Sequence, residues 1–193
     1  MLVKTLLSAT VLLSLFACHH PAEKDTPAKD IISPKDTAIA ITAPLPMPVV
    51  LKDFKADAAT LIQKGKLRKG KLMTEDDKRF FSISMLDNMP APEFKYRIVD
   101  TLYSGPKFNV LLIGREYENE NKVWLAAYDP SGKMISRQEV YYDNAEGFLS
   151  ISSVIRDITI TITTHNDFEE KEKDKKRVTT FAIDNDGQLR EAN

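Results

Sequence analysis

The alternation of apolar and polar residues is clearest in the last third of the chain, where its period is two. From Ile158 to Thr163, isoleucine and threonine alternate without interruption. Successive side chains of an extended strand point to opposite faces of a sheet, and threonine combines high strand propensity with tolerance of water. The pattern therefore predicts a strand with one buried face and one face in contact with solvent.

Other segments from residue 94 onward have the same strand-like character. Residues 108–113 are apolar on both faces, which predicts a central strand that is covered from two sides. Further strands are predicted at residues 94–102, 123–128, 134–142, 148–155 and 178–183, with a short final strand around Leu189.

The connections between these segments are short and have the composition of turns. Asp129-Pro130-Ser131-Gly132 is typical of a type I turn, and the Asp-x-x-Gly pattern returns at residues 184–187. Parallel crossovers need a dozen or more residues, so connections of this length indicate antiparallel neighbours. The sequence therefore predicts a mostly β fold, an antiparallel meander that forms a barrel-like or sandwich-like sheet.

One or two short N-terminal helices are predicted before this meander. Asp57 stands where it can cap a short helix that ends at Gly65. Thr74 and the three acidic residues that follow it resemble a capping box, with the acids placed where a helix dipole favours them. Residues 79–86 are expected to continue as a short helix that runs into a strand.

Composition narrows the classes of function that remain. The formal net charge is −1, so no large field would attract nucleic acid. One cysteine excludes an intrachain disulfide, and three histidines argue against a histidine-rich metal site. We therefore expect no nucleic-acid partner, no metal and no cofactor.

A catalytic constellation is not evident either, although one pair of residues has suitable chemistry. His165 and Asp167 could form a general base with its orienting carboxylate, but a polar strand end is the better explanation of this pair. The chain contains no Gly-x-Ser-x-Gly motif. We therefore assign no catalytic residue and expect a protein that is not an enzyme, with a hydrolase as the third choice.

The first 17 residues have the parts of a signal peptide. Lys4 gives a positive start, and the apolar segment at residues 6–17 is shorter than a membrane-spanning helix requires. The segment runs into Leu15-Phe16-Ala17-Cys18, which resembles the lipobox of bacterial lipoproteins. An ordinary signal peptide with an incidental cysteine is the alternative.

This resemblance implies a cellular location and a membrane anchor. In the lipoprotein family, the leader is removed before the cysteine, so Cys18 would become the lipid-bearing N-terminus. Several acyl chains hold a protein on a membrane without a spanning helix. The family associates the absence of aspartate after the cysteine with outer-membrane delivery, and here His19 follows. The resemblance thus implies a lipid-anchored protein of the cell envelope, in the outer membrane.

Residues 18–50 are predicted to be a lipidated, proline-rich tether, and residues 51–193 a β-rich globular domain. The tether holds six of the ten prolines: Pro21, Pro27, Pro34, Pro44, Pro46 and Pro48. The last three alternate with other residues and predict a stiff, extended rod. Soon after the tether, residues 64–71 contain five basic residues. They could contact acidic lipid headgroups or an acidic partner, or form a solvated connector.

The functional hypotheses follow from a predicted membrane anchor and a rigid domain in which no catalytic motif is recognised. The first is an envelope lipoprotein that binds another protein, as an assembly accessory or a toxin-neutralising factor. The second is a glycan- or solute-binding lipoprotein. Tyr141, Tyr142 and Phe148 flank one turn and could form an aromatic binding patch, although core packing could also explain them.

Overall fold

The prediction of a mostly β, antiparallel meander with short N-terminal helices is confirmed. A computed structural model describes residues 48–144, 146–172 and 175–192. The predicted signal peptide, Cys18 and the tether up to residue 47 lie outside the described residues. The described part begins close to the core, because Val49 is buried and its N–H donates to Asn185 Oδ1 at 3.4 Å.

The strands of the described chain, β1 to β10, are Leu51–Ala56, Lys71–Leu72, Lys95–Ser104, Asn109–Tyr117, Glu120–Tyr128, Met134–Asp143, Leu149–Asp157, Thr159–Asn166, Lys176–Ile183 and Leu189–Glu191. Three short helices, α1 to α3, cover Lys66–Lys69, Glu75–Phe80 and Ile83–Leu86, and a π-helical turn covers Ala59–Gln63.

All ten strands belong to one sheet, in the order β10-β9-β8-β7-β6-β5-β4-β3-β2, with β1 paired to β7. Strand β7 meets β6 at a single residue pair, Tyr142 with Ile151. Further along the same edge, β7 pairs with β1 instead. On its other side, β1 reaches β3 through Lys52 Nζ, which lies 2.8 Å from Asp100 Oδ2. The sheet curves in this way but does not close into a barrel.

Strand β1 was not predicted, and its backbone explains why. Leu51, Phe54 and Ala56 are buried, a spacing that does not follow a period of two. The register against β7 shifts between Leu51 and Phe54, as it does at a β-bulge. A bulge places an extra residue in one strand and so interrupts the alternation that identifies strands in a sequence.

The main core lies on the inner face of the curved sheet. In β4, Val110 and Leu112 point into it, while Leu111 and Ile113 belong to a second apolar cluster on the outer face. Strand β4 is thus buried on both faces, as its sequence predicted. The π-helical turn and α1 add Leu61 and Leu67 to the main core.

The second cluster is covered by α3 and by the residues that flank α2. Ile83 and Leu86 of α3 pack with Trp124 of the sheet. Helix α2 begins with the predicted capping box: Asp77 N–H donates to Thr74 Oγ1 at 3.1 Å, and Thr74 N–H donates to Asp77 Oδ2 at 3.0 Å. Helix α2 itself has no buried residue, so α3 and the residues that flank α2, Met73 and Phe81, make the contacts with the second cluster.

The expected strand at the end of residues 79–86 is wrong, because this segment forms a second helix. Ser82 has a φ of +48° and separates α2 from α3. After this break, Ile83 and Leu86 are three residues apart and face the sheet together, whereas Met85 is exposed. Tertiary packing of this pair selects the helix over the strand, which the local pattern also allowed.

The two Asp-x-x-Gly turns have the same hydrogen bonds. Asp129 Oδ1 accepts from the N–H groups of Ser131 and Lys133, each at 2.9 Å. Asp184 Oδ1 accepts from the N–H groups of Asp186 and Gln188, at 3.0 and 2.9 Å. In both turns, the N–H of the glycine donates to the carbonyl of the first aspartate at 3.0 Å. Both turns are therefore rigid features of the meander.

Candidate functional sites

Two surfaces stand out from the rest of the described chain: a polar cleft over the outer face of β4 to β6, and an uncharged sheet face with exposed aromatic rings on β7 to β9. Within residues 48–144, 146–172 and 175–192, no helix has the length and apolar character needed to cross a membrane. Nor do the described His, Cys, Asp and Glu side chains form a group suited to a metal ion.

The polar cleft is built around a buried ion pair. Arg115 of β4 and Asp87, which follows α3, are 4% and 5% exposed. Arg115 Nη1 donates to Asp87 Oδ2 at 3.0 Å, and its Nη2 donates to Glu120. The guanidinium also lies over the ring of Phe94, 4.4 Å from its centroid. Together these contacts hold the guanidinium in one position.

The carboxylate of Asp87 accepts hydrogen bonds from several donors. Tyr96 Oη donates to Asp87 Oδ2 at 2.7 Å, and Met89 N–H donates to Oδ1 at 3.3 Å. Burial alone raises the pKa of Asp87, but these hydrogen bonds and the charge of Arg115 outweigh it, so the pKa is lowered below its ordinary value. Asp87 is therefore ionised when the protein is folded near neutral pH.

The cleft itself has a volume of about 570 Å³. Lys122 Nζ lies 3.7 Å from Glu139 Oε2 and 4.8 Å from the centroid of the Tyr142 ring. Burial raises the pKa of Glu139, and the charge of Lys122 opposes that rise only in part. Trp124 also lines the cleft and is the only tryptophan of the chain. The cleft thus offers donors, acceptors and aromatic rings within a small space.

Arg115 retains hydrogen-bonding capacity despite its burial. Its Nε is inaccessible to solvent and has no hydrogen-bond partner among the described residues. Buried polar atoms without partners are uncommon in folded proteins. This group and the lining carboxylates were not found from the sequence. The available signal was a charged residue two positions after the apolar run of β4, at the spacing that keeps Arg115 on the same face as Leu111 and Ile113.

The three aromatic residues proposed from the sequence lie in different surroundings. Tyr141 is in the main core, and its Oη donates to Asp143 Oδ2 at 3.1 Å. Burial raises the pKa of its phenol. Tyr142 is half-buried beside Lys122 of the polar cleft, whereas Phe148 is 46% exposed before β7. Phe148 alone of the three joins the second surface.

Phe148 packs against Phe168, which was not predicted as a binding residue. Its centroid lies 5.1 Å from that of Phe168, which is 70% exposed in the loop after β8. The backbone holds the two segments together, since Asp167 N–H donates to the Phe148 carbonyl at 2.7 Å. This aromatic pair is therefore a fixed projection at one end of the sheet.

Next to the aromatic pair, the outer face of β7 to β9 presents small uncharged side chains. We call this the uncharged face. Its cross-strand rows are Ser152-Thr163-Val178 and Val154-Thr161-Thr180. Ile160 and Ile162 point the other way, into the core, so the predicted alternation is confirmed within β8. Ile158, predicted on the same buried face, lies in the turn before β8 and is 43% exposed.

The His165 and Asp167 side chains also come together at this end of the sheet. His165 Nε2 lies 3.1 Å from Asp167 Oδ1, and the two side chains are 46% and 43% exposed. They project from the strand end beside Phe148 rather than into the polar cleft. This contact lies at the start of the loop that carries Phe168.

By fold, the described chain is an antiparallel meander with short helices on its outer face. No protein-family model, curated protein or solved structure matches the chain. Its function is therefore inferred from these surfaces and from the N-terminal sequence.

Proposed function

We propose that this protein is a non-enzymatic, lipid-anchored lipoprotein of the cell envelope that binds another protein. The partner would be a component of an envelope assembly or a toxin that the domain neutralises. The anchor is proposed from Cys18 and the apolar segment before it. The binding role is proposed from the described domain, and the two parts can be tested separately.

The observation that carries the binding role is the exposed Phe148–Phe168 pair. Binding hot spots are enriched in aromatic residues and are surrounded by contacts that exclude water. The two rings already contact each other, so little side-chain entropy is lost when a partner covers them. The pair therefore has the exposure and order of an interface anchor.

The uncharged face supports the same interpretation. The cores of protein interfaces are depleted in charged residues, and the two rows that begin at Ser152 and Val154 contain none. Val178 is 57% exposed within these rows. A partner seated on these two rows would bury threonine and valine side chains, while Lys55 opposite Val154 and Lys176 opposite His165 form a polar rim.

A photo-crosslinking experiment in living cells tests the proposal. A crosslinking side chain at Val178 is expected to capture one protein repeatedly, while the same group at Met85, exposed on α3, should not capture it. Combining the Val178 probe with Phe148→Ala and Phe168→Ala should reduce capture at least tenfold, because each ring of a hot spot contributes about 2 kcal/mol or more.

Cys18→Ala supplies the separate test of the anchor. The unsubstituted chain should incorporate a labelled fatty acid in cells, and this variant should not. If neither chain incorporates the label, the lipid anchor is wrong, whatever protein Val178 captures. Identical capture from Val178 and Met85, or capture that survives loss of both phenylalanines, would refute the assigned binding surface.

The polar cleft favours a second candidate function, the binding of a glycan or another small polar solute. Ligand sites combine aromatic walls with a few placed polar groups, as Phe94, Trp124, Glu139 and Lys122 do here. The Arg115 guanidinium stiffens the wall of the cleft. Six charged residues line it, three of each sign, so an uncharged ligand with many hydroxyl groups suits it.

Titration with envelope oligosaccharides tests this candidate. Since the chain has one tryptophan and it lines the cleft, a saturable change in its fluorescence reports binding there. Glu139→Gln should weaken the response, and Glu170→Gln, in the exposed loop before β9, should not. A fluorescence signal and a melting temperature that stay constant across the series would exclude glycan binding in the cleft.

A further inference from the structure

The basic segment at residues 64–71 is divided by the fold into two groups. Arg68 lies 3.5 Å from Glu116, and Lys71 lies 3.3 Å from Asp77. Lys64, Lys66 and Lys69 form no ion pair with any described residue. Instead, these three lysines line one depression of about 490 Å³, together with Thr60 and Val99. We call this depression the lysine cradle.

The backbone under the cradle is shaped by two glycines. Gly65 has a φ of +67°, which other residues rarely adopt. A Cβ at Gly70 would lie 2.8 Å from the Ile98 carbonyl oxygen, so only glycine lets the segment lie this close to β3. Leu67, between the lysines, is buried in the main core. The lysines are therefore presented by the end of the π-helical turn and by helix α1, and not by a flexible connector.

We propose that the lysine cradle binds the phosphate groups of anionic lipid headgroups. Three lysine side chains line the depression, and its lining residues include no carboxylate. Lysine is a strongly hydrated point charge on a flexible stem, which suits headgroups of variable orientation. The full chain has a net charge of only −1, so the attraction arises from this local cluster. A membrane would be near if the proposed lipid anchor is present.

Vesicle sedimentation of the Cys18→Ala chain without its leader, residues 18–193, isolates this contact from both the apolar leader and the lipid anchor. The chain is expected to bind vesicles of phosphatidylcholine mixed with phosphatidylglycerol, and not phosphatidylcholine alone. Each lysine near an anionic surface strengthens binding by about fivefold. Replacing Lys64, Lys66 and Lys69 with glutamine should therefore abolish the preference for the anionic vesicles, and added salt should weaken binding of the unsubstituted chain.

A matched control has the same change in net charge at other positions. Glutamine at Lys133, Lys171 and Lys176, which are outside the cradle, should leave binding within about fivefold of the unsubstituted chain. Equal losses of vesicle binding in both triple variants, or equal binding to both kinds of vesicle, would overturn the proposal that the lysine cradle binds lipid headgroups. Displacement by inorganic phosphate at constant ionic strength would show a free-phosphate site and overturn the lipid assignment. None of these outcomes bears on whether Cys18 carries lipid.

Discussion

Asp87→Ala is expected to lower the free energy of unfolding by about 3–5 kcal/mol, the largest effect of any single polar substitution considered for this domain. The substitution leaves the buried guanidinium of Arg115 without its carboxylate and removes the acceptor of the Tyr96 hydroxyl. Both groups are buried, so each is left with an unmet hydrogen-bonding group inside the protein, which is costly. Urea denaturation followed by circular dichroism measures the change.

Asp76→Ala is the matched control for this prediction. Asp76 pairs with Arg79 on the surface of α2, where both side chains are largely exposed. Exposed pairs contribute about 0–1 kcal/mol, so this variant should unfold close to the unsubstituted protein. If the two alanine variants lose the same stability, the Arg115–Asp87 pair does not stabilise the fold as we infer.

The same pair gives a pH dependence with a defined sign. The folded-state pKa of Asp87 is lowered from its ordinary value of 3.8. Its contribution to stability is therefore present above pH 3.8 and is lost as the pH falls through the lower, folded-state pKa. The difference in unfolding free energy between the unsubstituted chain and Asp87→Asn should shrink in that acidic range. A difference that stays constant into strong acid would contradict the lowered pKa.

Phe108→Ala is expected to cost about 3–5 kcal/mol, as large core truncations do. Phe108 precedes β4, is 1% exposed and packs against Tyr103 with 5.0 Å between ring centroids. A Cβ built at Gly187 would lie 3.1 Å from its ring, so Phe108 connects the β3–β4 hairpin to the turn before β10. The loss of its ring would weaken contacts between segments about 80 residues apart. Thermal and urea denaturation provide the measurement.

Phe168→Ala removes the same side chain from the surface and serves as the control. Because Phe168 is 70% exposed, its replacement should change stability by no more than about 0.5 kcal/mol. This control also matters for the binding proposal, since a folded Phe168→Ala variant shows that lost crosslinking is not lost structure. A large destabilisation would instead make Phe168 part of the core of the fold.

The candidate surfaces occupy different parts of the domain and can be altered independently. The polar cleft lies on β4 to β6 beside α3, whereas the uncharged face lies on β7 to β9. Variants at Glu139 and at Phe148 therefore have no shared contacts and should act additively. A double variant with strongly non-additive binding would indicate a single ligand that spans both surfaces.

The sequence by itself determined the features that depend on neighbouring residues. The β8 alternation, the central position of β4, the capping box at Thr74 and the two aspartate turns were all predictable. Each follows from side-chain direction, backbone preference or a hydrogen bond that spans a few residues. These local rules were sufficient to assign the fold class.

Only the tertiary structure decided how distant segments meet. Strand β1 pairs with β7 some 100 residues later, and Arg115 finds Asp87 across 28 residues. Phe148 gains Phe168 as its neighbour, while Tyr141 turns into the core. Which residues meet at such separations depends on the curvature of the sheet and on packing of the whole core. A period of two shows which face of a strand is buried, but not which residues of other strands pack against that face.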